Sequence, residues 1–196
     1  MCGRYYVGDP SFEKMLRIVE ELNRRFPGAA VKTSGEAFPG DDLPALAGDL
    51  SPAVMRWGFL LPDGRRVINA RSETMEDKPL FRNGVRCAIP AQHYFEWERS
   101  GREKTKYAIG PADGGLMYLA GLFRAEEQGA AFTVLTKAPE ENIAFLHDRM
   151  PVLLPEALLR DWLNPRYRAS EILREAAVDV CFAPAEDGPQ QLRMEF

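Results

Sequence analysis

Residues 85–136 read VRCAIPAQHYFEWERSGREKTKYAIGPADGGLMYLAGLFRAEEQGAAFTVLT, and the architecture follows from them. Five apolar runs stand here, at 85–89, 93–98, 104–110, 116–123 and 130–136. They are rich in aromatic and β-branched residues, and turn formers part them, Ser100-Gly101 and Asp113-Gly114 most clearly. Short runs in succession, with no long helical pattern between them, predict antiparallel strands. Upstream, a first strand is expected at 4–7, and short apolar runs follow at 43–47, 53–57 and 66–69. Residues 32–42 and 70–84 read as loops, the second with room for a helical turn. Helices fall at the margins. Asp9 suits an N-cap and Pro10 the first helical position. Phe12, Met15, Leu16, Val19, Leu22 and Phe26 then follow helical spacing until Pro27-Gly28 stops the run. Shorter helices are expected at 139–146, 155–163 (with Leu158, Leu159 and Trp162 as apolar face) and 169–177, before a last strand in VDVCFA. The expected class is α+β, one domain over residues 1–196, built on antiparallel strands with peripheral helices.

Composition narrows the function classes. The chain has 196 residues, 45% hydrophobic and 28% charged, with net charge −4. Those values suit a folded domain with a core of its own and exclude a globally basic coat protein. Charge is unevenly spread, since residues 65–106 carry ten Lys/Arg against six Asp/Glu. A basic middle in an acidic body can track a polyanion, or can be a set of solvated strand charges. No run approaches the roughly 18 apolar residues of a membrane span, and the start, MCGRYYVGDP, has no apolar signal region. Three cysteines (Cys2, Cys87 and Cys181) without a secretory signal suggest a reducing, cytoplasmic setting. With only His93 and His147 and no CxxC, neither a metal nor another cofactor is expected. Cys87 and Cys181 lie in apolar runs and are expected to be buried in strands, and His93 to be structural.

Cys2 is the sharpest feature. Removal of Met1, which a small second residue generally permits, would leave an α-amine of pKa about 8 beside a thiol of pKa about 8.5. An amine adds to an aldehyde to give a Schiff base, and the neighbouring thiol can then close a five-membered thiazolidine. An internal cysteine has no free amine and cannot do this. The plain alternative is an incidental cysteine at a frayed terminus.

Four separated motifs give Cys2 a context: MCGRY at 1–5, NARSET at 69–74, the EW of YFEW at 96–97, and HDRMP at 147–151. Together with WG at 57–58 and IPA at 89–91, in this order, they resemble the SRAP family, the SOS-response-associated peptidase-like domains that crosslink to abasic sites in single-stranded DNA. The resemblance spans the whole domain and implies a barrel-like sheet core. It implies catalytic roles for Cys2, Asn69, Glu96 and His147. Asn69 would orient the terminal residue, Glu96 would move protons in Schiff-base formation, and His147 would act as acid or base near the sugar. Arg4 and Arg71 resemble the family's phosphate contacts. Trp57, with Gly58 allowing close approach, is a candidate to stack an exposed base, and Glu73 to orient Arg71. The family's Asn-x-Ala-Pro segment is replaced here by SGEAFPGD at 34–41. The implied partner is single-stranded DNA containing abasic sites, bound by a monomer with DNA-associated, cytoplasmic placement and no membrane. A lyase side reaction and self-processing of Met1 are further chemistries the same groups allow.

Plain alternatives stand beside each role. Glu96 alternates with Phe95 and Trp97 and can be a solvent-facing strand residue. His147 can be bonded to Asp148, Asn69 can be a turn residue, Arg71 and Glu73 can pair on one strand face, and Trp57 can be core. Trp97 and Trp162 are expected in the core, and Arg149 and Met150 take no chemical role. Two other functions compete. An N-terminal-nucleophile amidotransferase or hydrolase would also use Cys2, but NARSET, EW and HDRMP have no place in it. A non-catalytic single-stranded DNA module would leave Cys2 idle.

Overall fold

The computed structural model describes residues 2–8, 12–98 and 104–185. The Asp9-Pro10 helix start, the Ser100-Gly101 turn and Met1 lie outside the described residues. Strand β1 (Tyr5–Tyr6) is followed by helix α1 (Glu13–Arg25). Then come β2 (Glu36–Ala37), β3 (Asp42–Ala47), β4 (Ser51–Trp57), β5 (Phe59–Leu60), β6 (Arg66–Val67) and β7 (Asn69–Arg71). The central run supplies β8 (Val85–Ala91), β9 (His93–Glu98), β10 (Thr105–Pro111), β11 (Met117–Glu126) and β12 (Gly129–Lys137). The chain ends in β13 (Met150–Pro151), β14 (Leu153–Leu154), α2 (Leu159–Leu163), α3 (Ala169–Glu175) and β15 (Val180–Pro184).

Five strands close into a barrel. β3 pairs with β4 and with β8, β8 with β11, β11 with β12, and β12 returns to β4. Every pairing in the ring is antiparallel except β12 with β4, which is parallel. The barrel strands show why their sequence reads as continuous apolar runs. Cys87, Ile89, Met117, Leu119, Phe132 and Val134 belong to one core cluster. Their alternates Ala88, Tyr118, Ala120, Ala131 and Leu135 belong to a second, shared with Ile18 and Leu22 of α1 and Trp162 of α2. Side chains alternate across a strand, so a barrel wall covered by helices is apolar on both faces.

A second sheet runs β15-β10-β9-β1-β2. Its buried residues Tyr5, Tyr94 and Ile109 join the first cluster, and the Tyr5 ring meets that of Trp57 at 5.1 Å. The barrel and this sheet therefore share one apolar layer, and the N-terminal strand lies at their seam.

Several local expectations are corrected. The buried face of α1 is Met15, Ile18 and Leu22, while Leu16 and Phe26 are exposed. The expected helix at 139–146 is one 3-10 turn at Glu141–Ile143, and residues 156–158 are also 3-10 before α2. HDRMPVLL contributes two short strands that its length concealed. Cys87 is fully buried, but Cys181 is half-buried on a strand at the sheet edge. Trp162 is core, its Nε1–H donating to the Cys87 carbonyl at 2.8 Å. Trp97 is not core. It is partly exposed, and the Arg4 guanidinium lies 5.1 Å from its ring.

Candidate active site at the N-terminal strand

The site begins where β1 lies between β2 and β9. Tyr5 pairs with Tyr94 and Tyr6 with His93. Pairing continues past β1, because the Arg4 carbonyl accepts the Phe95 N–H at 2.9 Å. A chain terminus ordinarily frays, whereas this one is threaded into a sheet as an inner strand. Cys2 is buried completely, with its thiol 3.7 Å from the Arg4 carbonyl. Burial pushes the thiol up to about 12, and the nearby Glu96 carboxylate adds to the rise. Both effects disfavour the thiolate, so Cys2 is a neutral thiol at physiological pH.

Asn69 reaches this residue from the barrel. Its Nδ2 donates to the Cys2 carbonyl at 2.8 Å, and its Oδ1 is buried with no partner among the described residues. The backbone that carries Asn69 is clamped. β7 pairs in parallel with β12, and the Ile68 carbonyl accepts both the Val134 N–H at 3.0 Å and the Trp57 indole N–H at 3.1 Å. Trp57 is fully buried, between Tyr5 and a Phe132 ring stacked parallel to it at 6.2 Å. The base-stacking role expected of Trp57 is therefore replaced by a structural one, since no face of the indole reaches solvent. Gly58 likewise serves the fold. Its φ is +102°, and a Cβ there would stand 2.9 Å from the Arg66 Cβ.

Glu96 is buried on β9, near enough for its charge to raise the Cys2 thiol, rather than facing solvent as strand alternation alone allowed. Arg4 is already engaged. Its Nη1 donates to Glu36 at 3.3 Å, and its guanidinium lies 4.6 Å from the Phe38 ring and 5.1 Å from that of Trp97. Glu36 also pairs with the buried Lys106. Phe38, which sequence reasoning did not single out, is 40% exposed beside Arg4. An exposed phenylalanine in the divergent 34–41 loop was the available signal.

The other two motifs meet at the end of the barrel. Arg149 grips Glu73 by two bonds of 2.7 Å, and its Nη2 also donates to the Thr136 carbonyl. That pair holds Glu73 down to about 2. Glu73 thus serves Arg149 and not Arg71, correcting the expected pairing, and Arg149 has a definite structural task. Arg71 is exposed and sits opposite Thr136 in the β7–β12 register. His147, three residues before β13, has its Nδ1 2.6 Å from Asp148 and 3.1 Å from the Arg149 N–H. One nitrogen cannot donate to the carboxylate and accept the amide at once, so the two contacts belong to different proton placements. His93 is structural as expected. It is buried, stacked on Tyr6 at 5.0 Å, and desolvation lowers its pKa to about 4. Among the described residues no group of three or more His, Cys, Asp or Glu is placed to hold a metal ion.

Comparison with known proteins gives the chain its relatives. The chain is 31% identical over 192 residues to the abasic site processing protein YoaM of Bacillus subtilis, covering 89% of this chain and 84% of that one. It is 31% identical over 186 residues to YoqW of the same organism, another abasic site processing protein, covering 85% and 81%. A crystal structure of a protein from Bacteroides thetaiotaomicron superposes with a TM-score of 0.76 at 20% identity, covering 95% of this chain and 93% of that one, which shows the shared fold. The family described as SOS response associated peptidase (SRAP) matches residues 1–186, and the chain belongs to that family.

Proposed function

We propose that this protein processes abasic sites in DNA, and that it does so by covalent capture of the site's aldehyde in single-stranded DNA through Cys2 after Met1 is removed. One observation carries the reading. A side-chain amide 67 residues away in the chain, Asn69, fixes the carbonyl of residue 2 deep in the molecule. That bond fixes the orientation of the residue whose amine and thiol the reaction uses. The names of the curated relatives point to the same class of substrate.

The chemistry follows from the burial. The thiol is held neutral, so the α-amine is the first nucleophile. Its nitrogen adds to C1′ of the ring-opened deoxyribose, and loss of one water gives the Schiff base. The thiol sulfur then adds to the imine carbon, while its proton passes to the imine nitrogen. Glu96, near the thiol, is suited to take that proton from sulfur and return it to nitrogen. The Asn69 Oδ1 has no N–H partner among the described residues, and a free amine on Cys2 is a donor of that kind. The product is a thiazolidine, with net loss of one water. His147 and Arg71 stand at the barrel end as candidates for the sugar and phosphate, and Arg4 with Phe38 and Trp97 flanks the strand that carries Cys2. A lyase outcome belongs to the same scheme, because the Schiff base acidifies C2′ and thiazolidine closure competes with elimination.

The test uses protein whose intact mass shows Met1 absent, mixed with a single-stranded oligonucleotide carrying one abasic site. A heat-stable adduct is expected at the mass of protein plus DNA minus one water, and none with Cys2→Ala. No adduct from correctly processed protein sinks the proposal.

A further inference from the structure

Outside the elements that hold Cys2, a cavity of about 290 Å³ opens between the start of β8 and the loop joining α2 to α3. Its lining includes Arg82, Arg86, Arg166 and Arg168 against one carboxylate, Glu76. Several arginines elsewhere are matched to acids, Arg4 to Glu36, Arg56 to Asp42, Arg65 to Asp63, Arg124 to Glu126 and Arg149 to Glu73, while the unmatched ones, such as Arg25, Arg66 and Arg71, do not line this cavity. None of the four cavity arginines has an ion-pair partner among the described residues. Arg86 is the built part of the group. It lies 5.4 Å from the Trp162 ring, and its Nη2 donates to the Asn164 carbonyl. Its Nη1 is buried with no partner among the described residues. Burial lowers its pKa below the ordinary arginine value, and the Glu76 carboxylate opposes that shift. Arg82, Arg166 and Arg168 are exposed around it, and Tyr167, 48% exposed, stands between the last two.

Four arginines lining one cavity favour an anion there, and the planar fork of arginine matches phosphate oxygens. We propose that this cavity is a phosphate-binding site, taking a phosphodiester of a polynucleotide or the phosphate of a free nucleotide. An exposed tyrosine flanked by arginines supplies a stacking surface for the attached base. The site does not depend on the abasic-site reading.

The experiment uses full-length protein and an Arg82→Gln/Arg168→Gln variant, both positions being exposed. Melting temperatures in phosphate-free buffer are expected to agree, which establishes that the variant folds. In one arm, fluorescence anisotropy follows an undamaged single-stranded oligonucleotide. If the source is a polynucleotide, the variant loses about ten-fold in affinity and its salt slope falls by about one. In the other arm, inorganic phosphate and adenosine monophosphate are added. If the source is a free nucleotide, they raise the melting temperature of the unsubstituted protein and not of the variant. A variant that matches the unsubstituted protein in both arms overturns the proposal. Adduct formation with a saturating abasic oligonucleotide is expected to survive in the variant. Failure of the unsubstituted protein to form that adduct counts against Cys2 capture alone.

Discussion

Asn69 and Trp57 form a short chain of command to residue 2. The Trp57 indole N–H and the Val134 N–H hold the Ile68 carbonyl, the next residue presents its amide, and that amide holds Cys2. Each link tests separately. Asn69→Leu removes the bond to the Cys2 carbonyl, and a single hydrogen bond of this kind, about 1.4 kcal/mol, sets an expected ten-fold slowing of adduct formation. DNA affinity, read by anisotropy with undamaged oligonucleotide, is expected to hold. If affinity falls and the adduct rate at saturation does not, Asn69 is a DNA contact and not an orienting group. Trp57→Phe keeps most of the buried ring but deletes the indole donor. The Ile68 carbonyl keeps its bond from the Val134 N–H, so loss of the second bond costs about 0.5–1.5 kcal/mol, measured by urea unfolding. An adduct rate lowered along with that stability identifies Trp57 as a positioning residue for Asn69. At this scale the residue types were legible in the sequence, the link of Asn69 to residue 2 came only through the family resemblance, and the partner of Glu73 was misread. Cys2, Asn69 and Glu96 were chosen from their motifs, but neither the Asn69–Cys2 bond nor the Glu73–Arg149 pair has a trace in local spacing. Both connect residues distant in the chain, so only the sheet topology brings them together. Trp57 was read partly as a base stacker because a tryptophan beside glycine has the same composition whether it faces DNA or Phe132.

The elements explain how so short a strand as β1 anchors the segment that carries Cys2. It is flanked on both edges, by β2 and β9, and the β9 pairing runs on to Arg4. Barrel closure sets the other half of the site, since β7 is fixed against β12 only when β12 is held between β11 and β4. Gly121 on β11 is the position where closure leaves least space. A Cβ there would stand 2.6 Å from the Ile89 Cδ1, 3.0 Å from the Cys87 Sγ and 3.0 Å from the Thr133 carbonyl oxygen. Backbone oxygen cannot swing aside as a side chain can. Gly121→Ala is therefore expected to cost about 1–3 kcal/mol in denaturant unfolding, and Gly121→Val to prevent recovery of folded protein. An alanine variant as stable as the parent means that the barrel wall breathes more than the contacts indicate. The central strands could be read from their apolar runs and turn formers, and α1 from its helical spacing, whereas the helix expected at 139–146 is one 3-10 turn. The closure could not, because the parallel β4–β12 contact joins segments that no hairpin connects.

Across the whole molecule, the seam between barrel and second sheet buries charge as well as apolar surface. Lys106 and Glu36 are paired there, and His93 stands near both, between the Tyr6 and Phe95 rings. Desolvation lowers His93 to about 4, Glu36 opposes that shift and Lys106 reinforces it. Folding with a neutral histidine has a definite pH signature. The unfolded chain binds the proton near pH 6.5 and the folded one only near 4, so between these values the unfolded state carries more protons. The contribution is full above 6.5, declines as the pH falls toward 4, and changes no further below that. Between pH 7 and pH 5 the expected loss from this one group is about 2 kcal/mol. Glu73 works in a lower window. Its pairing with Arg149 contributes above pH 4.5 and is lost as the pH falls toward about 2, and its half-exposed carboxylate makes that term small. The two are separable by substitution. His93→Phe keeps an aromatic ring between Tyr6 and Phe95, and its urea-unfolding free energy is expected to fall less than the parent's between pH 7 and pH 5, by about that 2 kcal/mol. Equal losses in the two proteins would show that the fold does not hold His93 below its ordinary pKa, and would overturn this assignment.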